Sequence, residues 1–309
     1  MSPTPPAPFP RSILIIGLGE LGTSILSALT SHPSYQSQPH SQRPKLAILR
    51  RPDSLAGPPK LHSDDIVLHI ETADFATSPL AELVPIFQRY DVVIQAAGFG
   101  APPGTQLRVA EAAARAGVAR FLPWQFGVDY DAIAGADDDG RISGEGGLFG
   151  EMVRVRELLR AQGRTRWTVL STGLFMSFLF LPEFGVVDLE RRVVRALGGW
   201  EERITLTAVE DVGRMVAEVV FVQPEETEDR VVFAAGDTVS YGEIAGIVEE
   251  TFGFGFKREV WGKDELRGKM DREPENGMVK YQNVFGGGWG ILGIRENAES
   301  PAGSCLDEY

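Results

Sequence analysis

The sequence predicts an α/β protein: a Rossmann-type, doubly wound parallel sheet with a smaller α+β cap towards the C-terminus. Three observations predict it. Short apolar runs alternate with helical patterns through the first half of the chain, a G-x-G-x-x-G turn joins the first run to the first helix, and the alternation breaks down after residue 174. Strands alternating with helices require right-handed crossovers, and those build a parallel sheet.

The elements follow in order. "ILII" (13–16) is a buried strand, and Leu21, Ile25, Ala28 and Leu29 mark the inward face of the next helix. "KLAIL" (45–49) and "IVLHI" (66–70) are the second and third strands. "PLAELVPIFQRY" reads as a helix despite Pro85, and "DVVIQAA" (91–97) as the fourth strand. "TQLRVAEAAARAG" is a helix closed by Gly117, the residue type that helix C-termini prefer. "RFLPW" (120–124) and "WTVLS" (167–171) are the fifth and sixth strands. Between them lie a polar, Gly-rich loop, "GADDDGRISGEGG" (135–147), and the helix "FGEMVRVRELL" (149–159). Leu148, Met152, Val155 and Leu159 give that helix one apolar face. In the second half, "EDVGRMVAEVVF" (210–221) and "YGEIAGIVEETFG" (241–253) are helices and "RVVFAA" (230–235) is a strand. The rest reads as irregular, ending in the Gly- and aromatic-rich "ENGMVKYQNVFGGGWGILGI". The expected organisation is a Pro-rich disordered leader (1–10), a nucleotide-binding domain (11–173) to which 203–222 returns, and a substrate-binding cap (174–202 and 223–309).

Composition narrows the function. With 309 residues, 43% of them hydrophobic, the chain can bury a real core. A net charge of -13 repels a phosphate backbone, which argues against nucleic-acid binding. The single cysteine, Cys305, allows no disulfide within the chain and suits a reducing, cytoplasmic setting. No run reaches the roughly 18 apolar residues of a membrane span. "FMSFLFLPEFGVV" is the most apolar segment, and Pro182 breaks it, so it belongs in a core or a pocket wall. The expected partner is a small-molecule substrate, and a homodimer is compatible with this composition.

"IIGLGELG" carries the cofactor signature, with Gly17, Gly19 and Gly22 between a strand and a helix. Gly17 suits a tight turn, Gly19 lets the backbone approach a pyrophosphate, and Gly22 lets helix and strand pack. Leu18, Glu20 and Leu21 complete that turn, whose helix N-terminus offers N–H groups to phosphate. At the end of the second strand, Arg50 and Arg51 stand where an NAD site has an acid, so NADPH/NADP+ is the expected cofactor. Asp74 either helps the adenine end or caps its own turn. Ala96, Ala97, Gly98 and Phe99, after the fourth strand, are expected to run along the dinucleotide.

From "RFLPWQFGVDYD" (120–131) onwards the chain resembles the NmrA-like and isoflavone-reductase-like proteins, atypical short-chain dehydrogenases whose fifth strand ends in F-[IL]-P-S-E-F-G-x-D. The residues here are Phe121, Leu122, Pro123, Trp124, Gln125, Phe126, Gly127 and Asp129. "AEAAARAGVARF", "TVLSTGLF" (168–175) and "VEDVGRMVAEVV" are similar to further family elements, and the likeness runs from about residue 11 to about residue 260. It implies that Gln125, Phe126, Thr172, Gly173 and Phe175 border the cofactor. It also implies an acid–base lysine that this chain lacks: aligned on Phe149, that position is Met152, and the family's Ser-Glu is Trp124-Gln125. No Tyr-x-x-x-Lys pair lies on this helix.

Met152 either packs or forms a soft pocket wall. Arg154 and Arg156 stay charged and are poor acids. The four histidines lie in the first quarter of the chain, away from the expected carboxyl ends of strands four to six. The acid–base candidates are therefore Tyr130, Gln125 and Asp131, with Tyr130 first, while Asp129 is expected to anchor its own loop. Glu183, Lys280 and Tyr281 are alternatives from the cap. Trp124, Phe149, Met152 and Phe178 are the expected substrate pocket. Three functions fit: an NADP(H)-dependent oxidoreductase of a small aromatic or heterocyclic, imine- or iminium-like metabolite, as in secondary metabolism; a catalyst of cyclisation or rearrangement without net redox; and an NADP-sensing regulatory protein.

Overall fold

The computed structural model describes residues 9–54, 66–137, 139–144 and 148–290. Cys305, His62 and most of the expected leader therefore lie outside the described residues. The first six strands are β1 (Ser12–Ile16), β2 (Lys45–Arg50), β3 (Leu68–Thr72), β4 (Val92–Gln95), β5 (Arg120–Leu122) and β6 (Arg166–Ser171). After them come β7 (Leu174–Phe175), β8 (Val187–Asp188), β9 (Val193–Gly198), β10 (Arg203–Thr207), β11 (Arg230–Phe233), β12 (Asp237–Ser240) and β13 (Lys257–Gly262). The helices, in order, are α1 (Glu20–Ser31), α2 (Pro33–Gln36), α3 (Leu80–Phe87), α4 (Thr105–Ala116), α5 (Tyr130–Ala136) and α6 (Leu148–Ala161). Then follow α7 (Val209–Phe221), α8 (Tyr241–Phe252), α9 (Lys263–Arg272) and α10 (Gly277–Gly286).

Seven strands form one parallel sheet in the order β11-β6-β5-β4-β1-β2-β3. The chain reverses its direction of winding between β1 and β4, so a crevice opens at their carboxyl ends. The strands of the middle of the sheet read as unbroken apolar runs because both faces are covered. On one face α1 and α7 bury Leu21, Ile25, Val212 and Val216. On the other, α3, α4 and α6 bury Leu83, Val109, Val155 and Leu159. Gly213 explains how α7 approaches α1 so closely: a Cβ there would stand 2.4 Å from Ser24 Oγ. Gly117 ends α4 with φ 64°, a conformation that costs glycine little.

The cap differs from its expectation in two places. The strand Arg230–Phe233, assigned by the sequence to the cap, pairs in parallel with β6 and is the last strand of the main sheet. The segment 203–222, expected to return whole to the first domain, is split. Its helix does pack on α1, but β10 lies in a separate three-stranded sheet, β12-β10-β7. A further sheet, β13-β9-β8, occupies what reads as irregular sequence. β7 and β8 are two residues long, and β9 and β10 are completed by β13, β12 and β7 from far away in sequence, so no local pattern marks these sheets. The third strand also starts two residues later than expected, at Leu68. Residues 277–286 of the Gly-rich stretch form α10, capped by Asn276 Oδ1, which accepts from the N–H groups of Met278 and Val279. Among the described residues no helix is long and apolar enough to cross a membrane.

Candidate active site

The Gly17–Gly22 turn is built by contact, as its sequence requires. Gly17 has φ 89°, and a Cβ on it would lie 2.4 Å from that of Ala97. Its N–H donates to Leu49 O (3.0 Å), and the Ala96 N–H donates to Ile16 O (3.0 Å), which ties the turn to both neighbouring strands. A Cβ on Gly22 would stand 2.2 Å from the Gly17 carbonyl oxygen, so only glycine lets α1 begin here. Around Gly19 the position of a Cβ meets nothing within 4 Å, and the N-terminus of α1 has no side-chain cap. That combination leaves room and free N–H donors for a phosphate.

A single cavity of about 700 Å³ starts at this turn and runs along the sheet crest to the cap. At one end Arg50 and Arg51 line it beside Ser54, Ile70, Phe75 and Ala76. Its floor is Ala96, Ala97 and Gly98. At the other end it is walled by Trp124, Phe126, Phe175, Phe178, Tyr130 and Tyr281. Trp124 lies directly on Gly98, where a Cβ would stand 2.1 Å from its ring. Phe178 meets Phe99 edge-on (centroids 5.0 Å) and Phe175 edge-on (6.1 Å), so the rim is one aromatic chain. The apolar segment at 175–187 thus serves both expected roles: Phe175, Ser177, Phe178 and Leu181 face the cavity, and Leu179 and Phe184 face the core. Glu20, Arg50 and Arg51 are the ionised side chains among the described lining residues. The aromatic end carries phenols and no charge.

Several expected site residues lie elsewhere. Trp124 and Phe126 face the cavity, whereas Gln125, between them, is turned away by a bend in which its N–H donates to Pro123 O (2.8 Å). Gln125 is buried, donates from Nε2 to Met152 O (2.9 Å) and accepts at Oε1 from Arg156 Nε (2.7 Å). Asp131 pairs with Arg156 (2.7 Å) and Arg160 (2.6 Å) and does not line the cavity. Neither is available for proton transfer there. Asp74 caps its own turn by accepting from the Ala76 N–H (2.9 Å), and Thr172 Oγ1 donates to Phe126 O (3.2 Å). Neither borders the cavity, although Phe75, Ala76 and Gly173 do. Met152 and Phe149 are fully buried in the core beneath the cap, so they are not pocket walls. Gly22 likewise acts through packing and does not line the cavity.

The helix α6 therefore sends none of its described side chains into the cavity. Its work is structural. Glu151 accepts from the N–H groups of Gly104 (2.9 Å) and Leu107 (3.0 Å) and so caps α4. Arg156, with no exposed surface, holds Gln125, Asp129 and Asp131, and its guanidinium lies 5.3 Å from the ring centre of Tyr130. Asp129, as expected, anchors its own loop: it is the N-cap of α5, accepting from the Asp131 N–H (3.2 Å).

Of the three acid–base candidates, Tyr130 is the one that reaches the cavity. Burial pushes its phenol above the ordinary value, and the neighbouring Tyr281 hydroxyl and the charge of Arg156 pull it part of the way back. Tyr281, on α10, lines the same end of the cavity and is buried, not surface-exposed. Its phenol is pushed well up, first by burial and then by Tyr130. Lys280 is also buried but faces a different depression, beside Arg141 and Asp271, and Glu183 is exposed. Sequence reasoning missed Gly127, Ser177 and Leu181 as lining residues. Among the described residues no group of His, Cys, Asp and Glu is arranged to hold a metal ion.

Comparison with known proteins finds relatives over most of the chain. The NmrA-like family matches residues 13–287. An NmrA-like family domain-containing oxidoreductase of Gibberella moniliformis is 42% identical over 299 residues, 94% of this chain and 93% of that one. The oxidoreductase aprR of Aspergillus flavus is 28% identical, across 75% of this chain and 71% of its own. The binary complex of leucoanthocyanidin reductase with NADPH from Vitis vinifera has a TM-score of 0.68 at 18% identity, covering 93% of this chain and 90% of that one. The pinoresinol-lariciresinol and phenylcoumaran benzylic ether reductases have a TM-score of 0.68 at 21% identity, covering 94% and 92%. At these identities the solved structures share the fold.

Proposed function

Because the chain belongs to the NmrA-like family, whose similar members are named oxidoreductases, we propose that it is an NADP(H)-dependent oxidoreductase acting on a small, uncharged aromatic metabolite. The observation that carries this reading is the continuity of the cavity, which joins the phosphate-accepting turn and the two arginines to an aromatic chamber. The residues present fit the dinucleotide. Gly19 leaves the space a Cβ would fill, the start of α1 offers N–H donors, and Arg50 and Arg51 supply the fork-shaped cations that suit an extra phosphate. When bound, NADPH supplies the hydride. The chain's own residues do the rest: Ala96, Ala97 and Gly98 keep the floor low, and Trp124, Phe175 and Phe178 hold a flat ring and exclude water.

The family's lysine position falls on Met152, and Met152 is wholly buried, so catalysis proceeds without a side chain from α6. The phenol-lined chamber favours a catalyst over a passive sensor, since a sensor needs no enclosed substrate site beyond the nucleotide. A place in secondary metabolism suits an aromatic chamber of this kind. Calorimetric titration of purified protein tests the reading. NADPH is expected to bind in the micromolar range, about −8 kcal/mol, and more tightly than NADH. Absence of heat with NADPH at millimolar concentration refutes it.

A further inference from the structure

We propose that Tyr130 and Tyr281 form a hydrogen-bond donor pair that grips one acceptor oxygen of the substrate, with Tyr130 as the proton donor and Tyr281 and Arg156 as its positioning residues. The proton-transfer role rests on the oxidoreductase reading above; the donor pair itself does not. Four observations place the pair. Both tyrosines are buried and both line the aromatic end of the cavity. The Tyr130 hydroxyl lies over Gly127, where a Cβ would stand 2.8 Å from its oxygen, and Gly127 itself lines the cavity. Phe149 props both rings from behind, 5.6 Å from Tyr130 and 4.9 Å from Tyr281 between centroids. Arg156 lies under the Tyr130 ring, held there by Gln125, Asp129 and Asp131.

The order within the pair follows from its surroundings. The Arg156 guanidinium lies 5.3 Å from the centre of the Tyr130 ring, and the Tyr130 oxygen sits over Gly127 at the cavity wall, so Tyr130 is the phenol whose anion the site can hold. Tyr281 is then the supporting hydroxyl of the pair, and the Tyr130 O–H is the one that serves the ligand. The substrate class follows as well. A cationic iminium has no acceptor atom and wants a carboxylate, and the described residues at this end of the cavity include none. A neutral carbonyl conjugated to an aromatic ring suits the site. Where the electrophilic carbon gains the hydride that a bound NADPH would supply, the C=O π pair would move onto oxygen. The Tyr130 O–H bond breaks, and a new O–H bond forms on the substrate. The phenolate left behind is stabilised by the Tyr281 O–H and by the charge of Arg156, and regains its proton from water after product leaves.

Two flat probes of nearly equal shape test the pair: 2-acetylnaphthalene, which carries a carbonyl, and 2-ethylnaphthalene, which does not. Each is titrated calorimetrically into the full chain, with and without NADP+, so that no turnover occurs. The ketone is expected to bind more tightly. Tyr130→Phe should cut that preference about tenfold and Tyr281→Phe about threefold, with hydrocarbon binding unchanged, as loss of one buried hydrogen bond predicts. Gly127→Ala keeps both hydroxyls but crowds the Tyr130 oxygen, and should cut the preference too. Equal binding of the two probes, or a preference that survives both Tyr→Phe changes, overturns the donor pair. A protein that shows the preference but takes up no NADP+ instead overturns the oxidoreductase reading.

Discussion

Replacing Arg156 by Met removes a guanidinium that is completely buried beneath the candidate proton donor. The structure sets the cost. Gln125 Oε1 loses its 2.7 Å donor and stays buried, which costs about 1–3 kcal/mol. Asp129 and Asp131 lose ion pairs of 3.1 and 2.7 Å, but their side chains are 30% and 37% exposed. Asp131 also keeps Arg160 at 2.6 Å. Their part is therefore well below the cost of stranding a buried charge, about 1 kcal/mol together. Shape is largely preserved by Met. The sum is about 3 kcal/mol, which for a chain of 309 residues lowers the thermal midpoint by about 5 °C. Urea unfolding followed by circular dichroism measures it. The double variant Arg156→Met with Gln125→Leu should recover about 1 kcal/mol or more of the loss, because the stranded acceptor is gone. A loss below about 1 kcal/mol, or strict additivity, would refute the view that this network supports the site.

Three further outcomes follow from the same contacts. Changing Arg50 and Arg51 to Ala should weaken NADPH binding by about tenfold or more while leaving NADH binding nearly unchanged, because charge-assisted hydrogen bonds to the extra phosphate are lost; equal losses for both cofactors would show that the arginines do not select. The buried phenols of Tyr130, Tyr241 and Tyr281 are all pushed up, chiefly by burial. The folded chain then holds protons that the unfolded chain releases above about pH 10, so their stabilising contribution is complete below that pH and is lost as pH rises further. The urea midpoint should fall steeply between about pH 9.5 and 11.5, and Tyr241→Phe should flatten the fall. Met152→Lys puts an ammonium at a position with no exposed surface and should lower stability by several kcal/mol, on the order of 3 or more, without a gain of reductase activity. A folded, more active Met152→Lys protein would show that the lysine reaches the cavity after all.

Much of the site was readable locally. The glycines at 17, 19 and 22 announce a turn because each role is a backbone property that a side chain would spoil within a few residues. The two arginines after β2 and the small residues after β4 follow from the same register, since the carboxyl ends of neighbouring parallel strands must meet one crevice. The face Met152, Val155, Leu159 is buried, as a period of 3.6 residues demands. Burial alone, however, did not separate packing from pocket lining, and Met152 and Phe149 proved to pack.

What tertiary structure decided was direction and distance. Gln125 and Trp124 are adjacent, and only the position of Arg156 behind the strand shows which of them turns inward. Tyr281 enters the cavity from α10, which packs on α9 and β9 of the cap, and Arg230–Phe233 joins the main sheet because β6 leaves it an open edge. Each of these depends on a contact between residues far apart in the chain, and composition and periodicity carry no record of such contacts. The sequence by itself determined the sheet and the phosphate turn, whose chemistry is local; the partner of Tyr130 had to wait for the folded chain.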